Sequence, residues 1–434
     1  MSDDQFIFQD EEEFWTYIQN SLRCENIHVQ DLVNNGFTKF VKCVSDHFNI
    51  HINDDQQLYR CGLYLINSEL YESNKQFCIA KSLSILNIEG DLIPIKFKYL
   101  LSYLLLLDTK NDSSILNILQ DYQGFKIIYQ NVYEIFQKLA LIEDDNNSNI
   151  NDGLIKLWKK SATIQLDILF QLCKYLSIPL DDLQIIDEFF INYIFESLIV
   201  AYSEQDIFNA SKFKIILAIN EQLMINDNGN NINSKQKLRN IVFEIIKTHH
   251  QTSRNFNECL LVYFNREEDH CLQIMISKLL YLILMDKSTA DLFYNNDLNV
   301  LIDVLIRELT DLSEDQEFIR NTYLRVLYPL LQTEQIVNSQ YKREKLKSLL
   351  LYLSGQESTF WKLSDQTKRL ALKCMSIPWL FQDTINNSNN NGEKLESILN
   401  SSNTSLESIS QSSLNSISKK NPPPLPLPRK SYSR

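Results

Sequence analysis

The sequence predicts an all-α protein, an armadillo/HEAT-like helical solenoid followed by a disordered proline-rich C-terminal tail. Three observations carry this. Apolar residues make up 44% of the 434 residues, so burial is ample. Of the nine prolines, five crowd between Pro422 and Pro428, and glycine numbers only eight, so the body is almost free of helix breakers. Apolar stripes at i, i+3, i+4, i+7 recur along it, and helices with one apolar face must stack on neighbours.

From the N-terminus, the periodicity predicts helices over 11–22, 31–47, 55–71, 74–87, 92–107, 112–121 and 124–142. Gly36, Gly90 and Gly124 fall at or near boundaries, whereas Gly62 falls inside its pattern. Pro94 suits a first helical turn, where its missing N–H is no loss. The polar run at 143–153 separates a second block of helices, over 154–177, 181–201, 204–225 and 235–250, with Pro179 between the first two and Ser203 with Asp206 capping the third. The asparagine-rich run 226–235 reads as a surface loop.

The clearest stretch is 256–331. Its stripes are Leu272, Met275, Ile276, Leu279 and Ile283; Leu298, Leu301, Ile302, Leu305 and Leu309; and Ile319, Tyr323, Val326, Leu327 and Leu330. Ser288 with Asp291, and Ser313 with Gln316, have the spacing of capping boxes. Pro329 predicts a kink or an early end to the third helix. Helices over 341–354 and 358–376 close the body, with Pro378 stopping the second. The expected division is 1–250, an N-terminal solenoid; 251–382, a leucine-rich helical domain continuing it; and 383–434, an Asn/Ser-rich and proline-rich tail.

A net charge of −13 argues against a duplex nucleic-acid partner, which needs a basic stripe. The acidic N-terminus has no basic n-region or sustained apolar run, and the greasiest segment, Tyr99 to Leu107, is too short to span a bilayer, so no transmembrane segment is expected. Eight cysteines without CxxC pairs suggest reduced, buried thiols in the cytosol. Cys43, His47 and His51 at four-residue spacing, echoed by Cys24 and His28, would share a helix face. Tight cysteine pairs and the HExxH glutamate are both missing, so no metal is expected. No GxxxxGK[ST], GxGxxG or GxSxG occurs, and the acidic Glu267, Glu268 and Asp269 suit a helix start better than catalysis. Neither an enzyme nor a cofactor site is expected.

The tail carries a ligand pattern. PPPLPLPRK favours polyproline II, whose ordering cost is largely met before binding. Pro423 and Pro426 form a PxxP pair, with Arg429 one position beyond the usual basic site. Lys430 restores that site but puts Leu425 where a core proline belongs. Pro424, Pro428 and Arg429 fit the PxxxPR form, and Pro423 to Pro426 also match a WW-type PPLP ligand; profilin binds such runs too. The flanking lysines and arginines favour an SH3 groove with an acidic pocket.

Residues 264–284 (FNREEDHCLQIMISKLLYLIL), 293–309 (FYNNDLNVLIDVLIREL) and 323–331 (YLRVLYPLL) resemble the leucine-rich domain of the WISH/DIP/SPIN family, which includes the fungal low-dye-binding cortical proteins. Animal members carry an SH3 domain of their own at the N-terminus; no such β-rich module appears here. The resemblance implies a cytoplasmic protein of cortical actin patches at endocytic sites. It would bind the Arp2/3 complex and activate it without a mother filament, so that unbranched actin filaments form, and its tail would recruit SH3-domain endocytic adaptors. The alternative is a non-nucleating scaffold linking those adaptors to cortical actin. Arg266, Arg307, Arg320 and Arg325 lie off the apolar stripes and are the expected Arp2/3 contacts, since Arg is favoured at partner surfaces; an intrahelical pair such as Arg266 with Asp269 would instead leave them as solvated faces.

Overall fold

The computed structural model describes residues 8, 10–23, 26–48, 50–144, 151–198, 206–228, 239–356 and 363–385. Among these no strand forms beyond one isolated bridge between Phe48 and Ile52. The chain opens with α1 (Glu11–Ser21), α2 (Gln30–Asp46), α3 (Asp55–Ile66) and α4 (Glu69–Ser73). The 55–71 helix expected as one piece is two. Ser68 takes the N-cap role, its hydroxyl accepting from the Tyr71 N–H at 3.2 Å, and local capping overrides the continuing apolar pattern. Gly62 sits mid-helix because α3 closes tightly on a neighbour, and a Cβ there would stand 2.5 Å from Leu107 Cδ2.

Among the described residues, six helix pairs follow. They are α5 (Lys75–Leu86) with α6 (Ile95–Asn111), α8 (Gly124–Asp144) with α9 (Asp152–Tyr175), and α11 (Glu188–Ser197) with α12 (Ile207–Asn228). Then come α14 (His250–Arg266) with α15 (His270–Met285), α17 (Asn295–Asp311) with α18 (Glu317–Leu330), and α20 (Arg343–Ser354) with α21 (Asp365–Met375). A short helix follows each pair: α7 (Ile115–Asp121), α10 (Leu180–Leu183), α13 (Ile241–Thr248), α16 (Lys287–Ala290), α19 (Glu334–Ser339) and α22 (Pro378–Ile385). Pairs stack in register: α6, α9, α12, α15, α18 and α21 each pack on the next, as do α5, α8, α11, α14, α17 and α20. Contact limited to the partner and the adjacent pairs is the definition of a helical solenoid.

The two rows differ in how much they bury. In α17 one stripe is covered, from Leu298 to Leu309. In α15 ten of sixteen residues are buried, including Gln273, Ser277 and Lys278, because α12 and α18 cover opposite flanks while α14 lies behind. A helix with partners on several sides has no free face for its polar residues. The cysteines follow the same burial: Cys43, Cys61, Cys78, Cys173, Cys259 and Cys374 are buried free thiols, and burial pushes Cys43, Cys61 and Cys78 up to about 12.

Several boundaries move. The helix expected over 181–201 is α10 and α11 separated by a turn, and Asp206 caps α12 by accepting from the Asn209 N–H at 3.1 Å. Within the described part of the expected 235–250 helix stands α13; His249 ends it, and His250 begins α14. Pro378 starts α22 rather than simply stopping α21, its fixed φ suiting a first turn. Pro329 lies in the last turn of α18, which ends one residue later, so the early end is the outcome. Ser288 is no N-cap: Asp286 accepts from its N–H at 2.9 Å and takes the position. Gln316 does accept from the Ser313 N–H at 2.9 Å, but α18 begins after Gln316, not after Ser313.

Candidate interaction surface

Leu272, Leu279 and Ile283 of α15 and Tyr323, Leu327 and Leu330 of α18 are buried, and this shared core fixes which side chains face outward. The four arginines are not one patch. Arg266 ends α14 and is exposed. Asp269 does not hold it: that carboxylate caps α15 by accepting from the Cys271 N–H at 2.8 Å and meets Lys174 of α9 at 3.5 Å. Arg307, exposed on α17, donates to the Asn265 side chain at 3.0 Å and the Asn265 carbonyl at 3.2 Å, and pairs with Glu308 at 2.8 Å. Its guanidinium thus ties α17 to the last turn of α14, where unpaired carbonyls attract a cation.

Arg320 is a correction. Only 3% exposed, it donates to the Leu312 carbonyl at 3.3 Å and to the Ser313 carbonyl, bracing the α17–α18 turn. Lying off one apolar stripe placed it on a second covered flank, since α18 packs on α15, α17 and α21. Desolvation pulls its pKa down, as burial of a cation does.

Arg325 lies half-buried on the same helix, and desolvation lowers its pKa while the nearby Tyr281 of α15 favours its charge. Tyr281 in turn feels Arg325 and Tyr328. Lys373 of α21 stands 4.4 Å from the Tyr328 ring centroid. Tyr281, Arg325, Tyr328 and Lys373 therefore run as a cationic and aromatic strip across three successive helices of one row. Such a strip suits a partner surface carrying carboxylates beside apolar side chains. Of its members the sequence singled out Arg325 alone, because the other three join it only when α15, α18 and α21 are laid side by side.

The acidic run is structural. Glu267 Oε1 accepts from the Glu268 and Asp269 N–H groups at 3.1 and 3.0 Å, ordering the entry to α15. The Cys43–His47–His51 set is likewise a packing feature. His47 Nδ1 lies 2.9 Å from the Cys43 carbonyl, and the His47 and His51 rings stack with centroids 5.5 Å apart beside Phe14. Cys24 lies outside the described residues, as do Pro423, Pro424, Pro426, Pro428, Arg429 and Lys430.

The stretch that holds all four arginines matches a family model, the SPIN90/Ldb17 leucine-rich domain, over residues 205–346. Protein LDB17 of Eremothecium gossypii is 39% identical over 354 residues, covering 80% of this chain and 75% of that protein. The chain belongs to the SPIN90/Ldb17 family. Protein LDB17 of Saccharomyces cerevisiae is 35% identical over 433 residues, covering 92% and 86% of the two chains. Protein dip1 of Schizosaccharomyces pombe is 24% identical over 357 residues, 80% of this chain and 88% of its own. Among solved structures, the crystal structure of Kap121p aligns with a TM-score of 0.29 at 12% identity, over 94% of this chain and 41% of that one. The family match spans α12 to the start of α20 and includes Tyr281, Arg325 and Tyr328; Lys373 lies beyond it.

Proposed function

We propose that this chain binds and activates the Arp2/3 complex without a pre-existing mother filament, so that unbranched actin filaments form and seed networks at endocytic sites. The observation that carries the reading is family membership over most of the chain, with the leucine-rich match falling on 205–346. An activator must hold the filament-like arrangement of the two actin-related subunits more tightly than the splayed one, because a ligand of equal affinity for both shifts nothing. A stacked solenoid can supply that difference because it is stiff, so a partner that seats on the Tyr281–Arg325–Tyr328–Lys373 strip cannot relax by bending it. The tail residues Pro423, Pro424, Pro426, Pro428, Arg429 and Lys430 engage SH3-domain endocytic adaptors, and the chain acts in the cytoplasm at cortical actin patches.

The test mixes the full chain with actin monomers and Arp2/3 complex, with no filament seeds and no WASP-type activator. A shortened polymerisation lag and unbranched products are expected. A folded chain that binds the complex yet leaves the lag unchanged refutes activation and leaves a scaffold that only links adaptors to cortical actin. Pro428→Ala with Arg429→Ala is expected to abolish SH3 capture and spare the lag effect. Loss of both would show that tail and body do not act separately.

A further inference from the structure

Outside the 205–346 match, the first turns of α3, α6 and α9 open onto one groove of about 730 Å³. That volume lies within the ~300–1,000 Å³ of specific binding sites. Phe48, Ile52, Leu58, Leu154 and Leu157 supply apolar lining, and Leu154 is exposed on its wall. Lys96, Lys156 and Lys160 project from the same walls, against Asp54 and Asp55.

The two aspartates are already engaged. Asp54 caps α3, accepting from the Gln57 N–H at 2.7 Å, and Asp55 meets Lys160 at 3.2 Å. Lys96 and Lys156 have no carboxylate within ion-pair distance among the described residues. The first turn of α6 carries no acidic residue, so its dipole adds positive potential there, while Asp55 and Asp152 offset those of α3 and α9. A net-positive, partly apolar concavity therefore sits on a chain whose net charge is −13. The geometry points to a second docking site, separate from the proposed Arp2/3 surface, that takes an acidic amphipathic segment of a partner protein. The partner's apolar side chains lie on Phe48, Leu154 and Leu157, and its carboxylates meet Lys96 and Lys156. A basic segment would face two uncompensated lysines and be rejected.

The experiment uses the full chain and two labelled 14-residue peptides, both with leucines at i, i+3, i+4 and i+7. One carries glutamates along the edges of that stripe and the other lysines at the same positions. By fluorescence anisotropy the acidic peptide is expected to bind saturably and to weaken in 0.5 M salt, and its lysine counterpart to bind at least about tenfold more weakly. Lys96→Glu with Lys156→Glu is expected to lower acidic-peptide affinity at least about tenfold. Leu154→Asp, on an exposed site, is expected to lower it too while circular dichroism stays unchanged. If the double reversal disturbs folding, Lys96→Gln with Lys156→Gln gives the same comparison at lower charge and must still weaken binding. Equal binding of the two peptides, no binding of the acidic one, or unchanged affinity in the lysine variants overturns the proposal. So does displacement of the peptide by phosphatidylserine vesicles with no salt-sensitive peptide binding of its own, which would assign the lysines to a membrane.

Discussion

Lys278 offers the sharpest test of how the solenoid is held together. It extends from α15 to Glu221 of α12, forming an ion pair whose side chains are 3% and 12% exposed. The pair joins two consecutive helices of the same row inside the family match. Replacing Lys278 by Met keeps most of the stem and its packing but removes the cation, leaving a carboxylate in a site almost without water. Breaking a buried pair from one side costs about 3–5 kcal/mol, far more than the ~0–1 kcal/mol of an exposed pair. With an unfolding entropy of about 2 cal/mol/K per residue over the helical body, that is a fall of about 4–7 °C in the thermal midpoint. Glu221→Leu together with Lys278→Met removes both charges and is expected to recover most of the loss, since apolar replacement of a whole buried pair is often neutral. The double-mutant cycle is read by denaturant titration, and hydrogen exchange on α12 and α15 reports whether the loss is local, as expected where repeats contact only neighbours. A Lys278→Met chain within about 1 kcal/mol of the parent, or a double variant no better than the single, would refute the claim that the pair is a desolvated link.

Gly62→Ala is expected to be close to neutral, helix propensity offsetting a shift of the Leu107 methyl, whereas Gly62→Val is expected to cost about 1–3 kcal/mol and to be partly rescued by Leu107→Ala, as urea midpoints would show. Arg320→Ala leaves two turn carbonyls without their donor and is expected to lower stability by about 1–3 kcal/mol, while Arg325→Ala chiefly weakens Arp2/3 binding; an exchange of these phenotypes in melting and pull-down assays would reverse our assignment. Lys247 and Ser288 hold the Asp286 carboxyl down at about 2, below its usual 3.8, so its contribution is present above pH 3.8 and lost as pH falls towards 2; Asp286→Asn is expected to flatten that acid limb. Asp108 has the opposite sign. Desolvation raises its pKa despite the Tyr71 hydroxyl donating at 2.7 Å, so stability declines as pH rises from 3.8 through the raised value, and Asp108→Asn is expected to remove that decline.

Helix existence was legible because a stripe at 3.6-residue spacing is a local property, visible in Leu298 to Leu309 without knowing what it touches. Helix ends were less so. Ser68 breaks the 55–71 pattern and Asp286 takes the cap position expected of Ser288, since the residue at which a helix starts depends on how the chain enters it and not on the spacing of capping residues alone. Arg320 shows a different failure: periodicity tells which residues share a face but not how many faces are covered. On α17 the exposed flank is real, and Arg307 uses it; on α18 the flank beyond the stripe is closed by neighbours.

By itself, then, the sequence determined the all-α class, the stacking requirement and, through the wording of 264–331, the family. Those follow from local periodicity, scarce helix breakers and residue identity. Only the tertiary structure decided that Lys278 meets Glu221 across 57 positions, that Tyr281, Arg325, Tyr328 and Lys373 form one strip, and that Lys96 and Lys156 share a groove. Each of those juxtapositions is made by helices adjacent in the stack but distant in the chain. Pairing in space is set by how covered flanks fit together, which no single stretch of sequence contains.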